Sequence, residues 1–282
     1  MEPTEFKARL WMWGPFILAG LLFAITVFFV VSLLNKPTSS DSGDGKEDAS
    51  GQSILAPASS VDSLRRSYLA ANGGEALLAG LRSTRTRGIL ETPAERIPFL
   101  SVKRRPGQSL LRLKFPDYEQ SFVIDGDVVW VQFTGGQRDS VVRLLEGDDA
   151  NRIRRLGTFF DPVMELFLLN EGRINEIERG DFQDETAIVV EFEREDPNIR
   201  SKAYIDPDNL HLISRVDTLS DGNERRFFYS DYREVDGVLM PFDVESYSNE
   251  TFENRVIVEK SEHNIGIYSD YFGFPEDAEV LE

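Results

Sequence analysis

An uncharged run near the N-terminus most constrains what this chain can fold into. Residues 11–34, from Trp11 to Leu34, contain no Asp, Glu, Lys or Arg. A bilayer core needs about 20 consecutive apolar residues in a helix, so the run predicts one transmembrane helix. The alternative, a cleaved signal peptide, usually has an apolar region of about 7–15 residues followed by a small-x-small cleavage site. The length of the run favours an uncleaved anchor.

The charges around this run predict its orientation. Lys7 and Arg9 precede it, whereas only Lys36 follows it closely. Because Lys and Arg favour the cytoplasmic side, residues 1–10 are predicted to form a short cytoplasmic N-terminus. Residues 35–60 are rich in Ser, Gly and Asp, which is typical of a flexible linker. The domain that follows is then held outside the cytoplasm.

This domain, residues 61–282, belongs to an acidic chain. The chain has 31 Lys and Arg against 49 Asp and Glu, with a net charge of −18. That charge disfavours nucleic acid as a partner, because phosphate binding needs clustered positive charge. No Cys and two His are present, and no motif for a bound nucleotide, a serine nucleophile or a zinc protease occurs. We therefore expect no cofactor, no metal and no enzymatic activity; a hydrolase with paired carboxylates is the alternative.

Apolar and polar residues alternate along most of this domain. Residues 111–115, 129–133, 188–192 and 238–244 show the pattern clearly, which is typical of antiparallel strands with one buried face. Asp-Gly pairs between apolar segments predict tight hairpins, and we expect Asp236-Gly237 to be the best formed. The sequence predicts an α+β fold, mainly antiparallel β, with about ten strands after a first helix.

One segment interrupts this alternation with a helical pattern. Asp161 and Pro162 are favourable residues for the N-cap and first turn of a helix, and nearly every residue from Val163 to Leu169 is apolar. A helix that is apolar on almost all sides must be covered on several of them. It is therefore either a core helix under the sheet or a lid over an apolar cavity. We hypothesise that residues 159–169 pack on the concave face of the sheet and border a ligand pocket, so that Phe167→Asp weakens binding in a folded chain.

Several short motifs resemble the LolA-like family of outer-membrane lipoprotein-sorting proteins. They span about residues 60–280 and include Tyr68–Leu77, Tyr204–Pro207, Asp231–Pro241 and Phe272–Pro275. The resemblance implies a curved antiparallel half-barrel closed on one side by helices, with an apolar cavity for acyl chains and no catalytic activity. The chain departs from the family's soluble carrier because its domain is predicted to be tethered to a membrane.

The resemblance also implies a location and a function. We expect a single-pass protein of the cytoplasmic (inner) membrane, whose periplasmic domain binds acyl chains of lipids or lipoproteins for lipoprotein sorting or lipid handling. The alternative is a tethered regulatory domain of the same fold that senses envelope state through another envelope membrane protein. The candidate cavity residues are large apolar side chains of the predicted strands and of the interrupting segment: Leu111, Leu113, Val129, Val131, Phe133, Phe159, Phe160, Met164 and Phe167.

Overall fold

The structure is a computed structural model that describes residues 58–136, 138–194, 199–275 and 278–281. The predicted anchor, residues 11–34, and nearly all of the predicted linker lie outside the described residues. Within the part of the chain that is described, no helix has both the length and the apolar character needed to cross a membrane. The predicted topology therefore stays a prediction.

Fourteen strands in one sheet make up most of the described residues. The strands are β1 (Ser83–Glu91), β2 (Arg96–Arg104), β3 (Gln108–Lys114), β4 (Tyr118–Asp125), β5 (Val128–Gly135), β6 (Arg138–Leu144), β7 (Arg173–Phe182), β8 (Glu185–Glu193), β9 (Ile199–Ile205), β10 (Leu212–Leu219), β11 (Glu224–Val235), β12 (Val238–Ser248), β13 (Thr251–His263) and β14 (Glu279–Leu281). The helices are α1 (Ala58–Ala71), α2 (Glu75–Gly80), α3 (Gly147–Leu156) and α4 (Pro162–Leu169), with a 3-10 turn at Ser269–Tyr271. The predicted mainly antiparallel fold with a first helix is confirmed, but the predicted count of about ten strands is too low.

The strands follow the order β14-β6-β5-β4-β3-β2-β1-β13-β12-β11-β10-β9-β8-β7. Short turns join most consecutive strands, which makes them antiparallel neighbours; the pair of β14 and β6 is parallel. Two meanders, one from β1 to β6 and one from β7 to β13, meet where β1 pairs with β13. The result is a large curved sheet.

The hairpin at Asp236-Gly237 joins β11 to β12 as predicted. Val235 pairs directly with Val238, so the loop has two residues, and their φ angles are 51° and 82°. Positive φ at both central residues is the requirement of a type I′ hairpin turn. Among the three Asp-Gly pairs that lie in the described residues, this is the one in which both residues have positive φ.

Three apolar clusters pack against the sheet. The α4 cluster contains Tyr68, Leu69, Leu78, Leu81, Val163, Met164, Leu166, Phe167, Val190, Phe192, Ala203, Ile205, Leu212 and Val238. The α3 cluster contains Ile97, Leu113, Phe115, Phe122, Ile124, Val129, Val131, Ala150 and Ile153. The outer cluster contains Val102, Leu110, Val123, Trp130, Val142 and Phe272.

These clusters define two faces of the sheet. Side chains alternate between faces along a strand, so Phe122 and Ile124 lie on one face of β4, and Val123 lies on the other. The pairing register, followed through β1, β13 and β12, places the α3 and α4 clusters on the same face. We call this helix-bearing side the inner face, and the side of the outer cluster the outer face.

Candidate functional site

Five of the nine predicted cavity residues lie side by side on the inner face. They are Leu111 and Leu113 of β3 and Val129, Val131 and Phe133 of β5, all in or against the α3 cluster. Strand β4 lies between these strands, and its Phe122 is directly opposite both Leu111 and Val131. The structure therefore brings these five together in one apolar surface, as their period-two spacing predicts.

The other four predicted residues belong to the α4 cluster. Met164 and Phe167 are buried within it, and Phe159 and Phe160 pack against its edge. Phe167 is 1% exposed, and the centroid of its ring lies 5.1 Å from that of Tyr68. The structure thus divides the nine residues between two clusters instead of lining a single cavity with all of them.

Helix α4 forms for the local reasons that its sequence predicts. The Asp161 carboxylate accepts hydrogen bonds from the backbone N–H groups of Val163 (2.8 Å) and Met164 (3.0 Å), which are otherwise unpaired at a helix start. At its other end, Arg65 of α1 donates from Nε to the Phe167 carbonyl at 2.6 Å. Every residue from Pro162 to Phe167 is buried, because α1, α2 and the sheet all contact this helix.

Helix α3 is held much less deeply. It lies over β4 and β5 and buries only Ala150 and Ile153. Acidic residues in its first turn and Arg154 and Arg155 in its last turn complement the helix dipole, and Leu156 is 52% exposed. A short amphipathic helix therefore covers a broad apolar part of the inner face.

An open groove of about 600 Å³ lies on the opposite, outer face. Its lining comes from β3, β4, β5 and the segment after the 3-10 turn: Leu110, Arg112, Val123, Trp130, Gln132, Asp270, Tyr271, Gly273, Phe274 and Pro275. None of the nine predicted cavity residues lines this groove, because those on β3 and β5 point to the other side of the sheet.

Comparison with known proteins identifies the fold. No protein-family model matches the sequence, and no curated protein matches it. Among solved structures, a LolA superfamily protein from Nitrosomonas europaea superposes with a TM-score of 0.53 at 12% identity, over 74% of this chain and 97% of that one. The fold is LolA-like.

Two further solved structures are similar over a comparable length. An outer membrane lipoprotein-sorting protein domain from Vibrio parahaemolyticus has a TM-score of 0.45 at 10% identity, over 75% of this chain and 95% of that one. A DUF1329 family protein from Desulfovibrio piger has a TM-score of 0.46 at 10% identity, over 76% and 97%.

The interior of this LolA-like domain contains charged groups that sequence reasoning missed. Glu165 of α4 is 4% exposed and accepts a hydrogen bond from Arg194 at 2.6 Å. Burial raises the pKa of Glu165 to about 7, against the opposing effect of Arg194. Lys103 of β2 donates to the Thr158 carbonyl in the connection between α3 and α4, and burial lowers the pKa of this lysine to about 8. The sequence did offer a signal for this buried charge, because Glu165 is the single acidic residue within the otherwise apolar α4.

The raised pKa of Glu165 predicts a specific pH dependence of stability. Between about pH 4.5 and 7 the folded chain holds a proton that the unfolded chain has released. The free energy of unfolding therefore falls as pH rises through this window, by roughly 3 kcal/mol for this carboxyl alone. We expect Glu165→Gln to lack that fall. Urea unfolding of both proteins from pH 4 to 8 measures the difference, and parallel profiles would contradict the prediction.

No cluster of three or more His, Asp or Glu side chains that could hold a metal ion occurs among the described residues.

Proposed function

We propose that this LolA-like domain binds acyl chains of lipids or lipoproteins on the part of its inner face that α3 covers. The observation that carries the proposal is the contrast between the two surfaces that meet here, that of the sheet and that of α3. The sheet contributes a broad, mostly apolar surface from β2 to β5, whereas α3 contributes two buried side chains, Ala150 and Ile153.

Energetics favour exchange of α3 for a lipid chain. Burial of an isoleucine side chain is worth about 1.5–3 kcal/mol, and burial of an alanine much less. An acyl chain gains about 0.8 kcal/mol for each buried CH₂, so ten buried carbons contribute roughly 8 kcal/mol before the cost of association. A chain that replaces α3 can therefore bind reversibly.

The same comparison argues against displacement of α4. To lift this helix would expose Val163, Met164, Leu166 and Phe167, each worth about 1.5–3 kcal/mol. The sum approaches the whole stability of a typical domain, about 5–15 kcal/mol. In this proposal α4 is a core helix and α3 is the cover that moves.

We further propose that the domain works in the cell envelope without a chemical step. If residues 11–34 anchor the chain, the domain stays near one membrane, which fits a membrane-held acceptor or a lipid-handling protein better than a freely diffusing carrier. Its partners are then the acyl chains of lipids or lipoproteins presented at that membrane.

A reversible tether tests whether α3 is the cover. A Cβ atom at Gly157, the residue after α3, would lie 3.1 Å from Cβ of Ser109 on β3 and 2.2 Å from Cδ1 of Ile124. The Cβ atoms of a disulfide are about 3.5–4.5 Å apart, so the bond needs a slight outward shift of the end of α3 and another rotamer of the flexible Ile124 side chain. The chain has no other cysteine, so Ser109→Cys with Gly157→Cys can form only this intramolecular bond. We expect oxidation of the double variant to lower labelling by a diazirine-bearing palmitic acid at least tenfold, and reduction to restore it.

The measurement uses the full chain in phosphatidylcholine nanodiscs, with labelled peptides identified by mass spectrometry. Label is expected on β3, β4 and β5. Each single cysteine variant serves as a control that oxidation should not affect. Equal labelling of the oxidised and reduced double variant would show that α3 does not control access. The proposed function would be overturned if, in the wild-type chain, inner-face residues of β3, β4 and β5 were labelled no more than the outer-face residues of the same strands.

A further inference from the structure

Gln120 of β4 is a buried amide without a partner. Its side chain is 1% exposed, and neither its amide oxygen nor its amide nitrogen has a hydrogen-bond partner among the described residues. Because a buried polar group that is not hydrogen-bonded costs free energy, native structures pair nearly all of them. An exception of this kind needs an explanation, and a polar ligand that pairs with the amide in another state of the molecule is one.

The position of Gln120 connects it to the proposed acyl site. Its directly opposite neighbours are Leu113 on β3 and Phe133 on β5, both among the predicted cavity residues. Along β4, Tyr118 and Phe122 share its face because side chains alternate. Gln120 is therefore the amide within the otherwise apolar surface of the α3 cluster.

We infer that Gln120 is a specificity-determining residue that recognises the ester group of an acyl ligand by hydrogen bonding. Its amide nitrogen donates to the ester carbonyl, and its amide oxygen accepts from a neighbouring hydroxyl or N–H of the ligand. A glutamine amide is neutral and offers both a donor and an acceptor, which suits an acylglycerol better than a charged headgroup. This inference rests on the proposed function, since it concerns the same face.

The strand geometry accommodates such a ligand. From Gln120 to Ile124 the distance along β4 is about 13 Å at 3.3 Å per residue. Phe122 lies between them on the same face, and Ile124 is in the cluster with Ile153 of α3. An ester bound at Gln120 thus directs its alkyl chain along β4 toward the part of the inner face that α3 covers.

A matched pair of lipids isolates the contribution of the ester carbonyl to binding. The lipid 1-palmitoylglycerol and its ether analogue 1-O-hexadecylglycerol have the same headgroup and the same number of chain carbons, but the ether lacks the carbonyl. Each competes with the diazirine-bearing palmitic acid for the full chain in nanodiscs. We expect the wild-type chain to prefer the ester at least tenfold, and Gln120→Leu to reduce this preference to twofold or less while the thermal unfolding midpoint stays the same or rises.

A second glutamine provides the control. Gln132 is on the neighbouring strand β5 but faces outward and donates to Ser140 Oγ at 2.9 Å, so Gln132→Leu should keep the ester preference. Gln120→Met repeats the test with a side chain of similar length.

Each result has one meaning. Competition by both lipids with no preference would overturn the role of Gln120 and leave the proposed function standing. Competition by neither lipid would contradict both. If Gln120→Leu and Gln120→Met both fail to fold, the amide serves the fold in the unliganded chain and the inference is wrong.

Discussion

Phe167→Asp is expected to prevent the domain from folding. Truncation of a buried Phe typically costs about 3–5 kcal/mol, and a buried carboxylate without a partner costs several more. Phe167 is 1% exposed and packs on Tyr68 inside the α4 cluster. Together these costs match the whole stability of an average domain. Limited proteolysis and circular dichroism of the full chain measure the outcome.

Phe274→Asp is the matched control, because Phe274 is 41% exposed on the outer face. Its ring packs edge-to-face on Trp130 with centroids 5.5 Å apart, so we expect Phe274→Asp to lower the free energy of unfolding by only about 0.5–1.5 kcal/mol and to leave the domain folded. A folded Phe167→Asp chain with acyl labelling reduced tenfold would support the other hypothesis for residues 159–169, in which this segment borders the ligand pocket.

Gly88→Ala is expected to lower the free energy of unfolding by about 3 kcal/mol, the upper part of the usual range for overpacking. A Cβ atom at Gly88 would lie 2.0 Å from the Ile257 carbonyl oxygen and 2.9 Å from Cε1 of Phe99. The oxygen belongs to the backbone of β13, so no change of rotamer relieves the contact. Because β1 and β13 join the two meanders, their separation weakens the whole sheet. Urea unfolding with an unchanged m-value would report this loss.

Gly80→Ala tests whether the effect of Gly88→Ala is steric. A Cβ atom at Gly80 would have no neighbouring atom within 4 Å, and the residue ends helix α2. We expect the free energy of unfolding to stay the same or rise by about 0.4–1 kcal/mol, since alanine restricts the unfolded chain. Equal destabilisation by both variants would contradict the steric explanation.

Part of the candidate site could be predicted because it depends on local periodicity. Leu111, Leu113, Val129, Val131 and Phe133 share a face simply because each lies two residues from the next on its strand. The N-cap of α4 was predictable for a similar reason, since Asp161 bonds to backbone groups only two and three residues away.

Strand β7 shows where local patterns carry little information. It is an edge strand in which every residue is exposed or half-buried, and its Ile174 and Ile177 pack partly against the α4 cluster. A strand that buries no side chain fully has little need for strictly alternating apolar residues, so its sequence carries little signal. Edge strands often carry charges that discourage pairing with other chains, and Glu176, Glu178 and Asp181 give β7 a polar sequence.

The division of the site into two clusters could not be predicted from the sequence. Phe133 and Phe159 are near each other in the chain, and both were assigned to one cavity. The sheet order places β3, β4 and β5 far from β8, β9 and β10, and α3 and α4 pack on these two regions separately.

The sequence by itself determined the elements: antiparallel strands with one apolar face, a capped apolar helix, and a two-residue turn at Asp236-Gly237. Each depends on residues within a few positions of one another, so local spacing is enough to specify it. The tertiary structure alone decided that α3 is a thin cover and α4 a core helix, that Arg194 pairs with Glu165, and that Gln120 is enclosed without a partner. Those properties depend on which distant strands become neighbours, because burial and partnership are set by contacts between residues that the sequence keeps far apart.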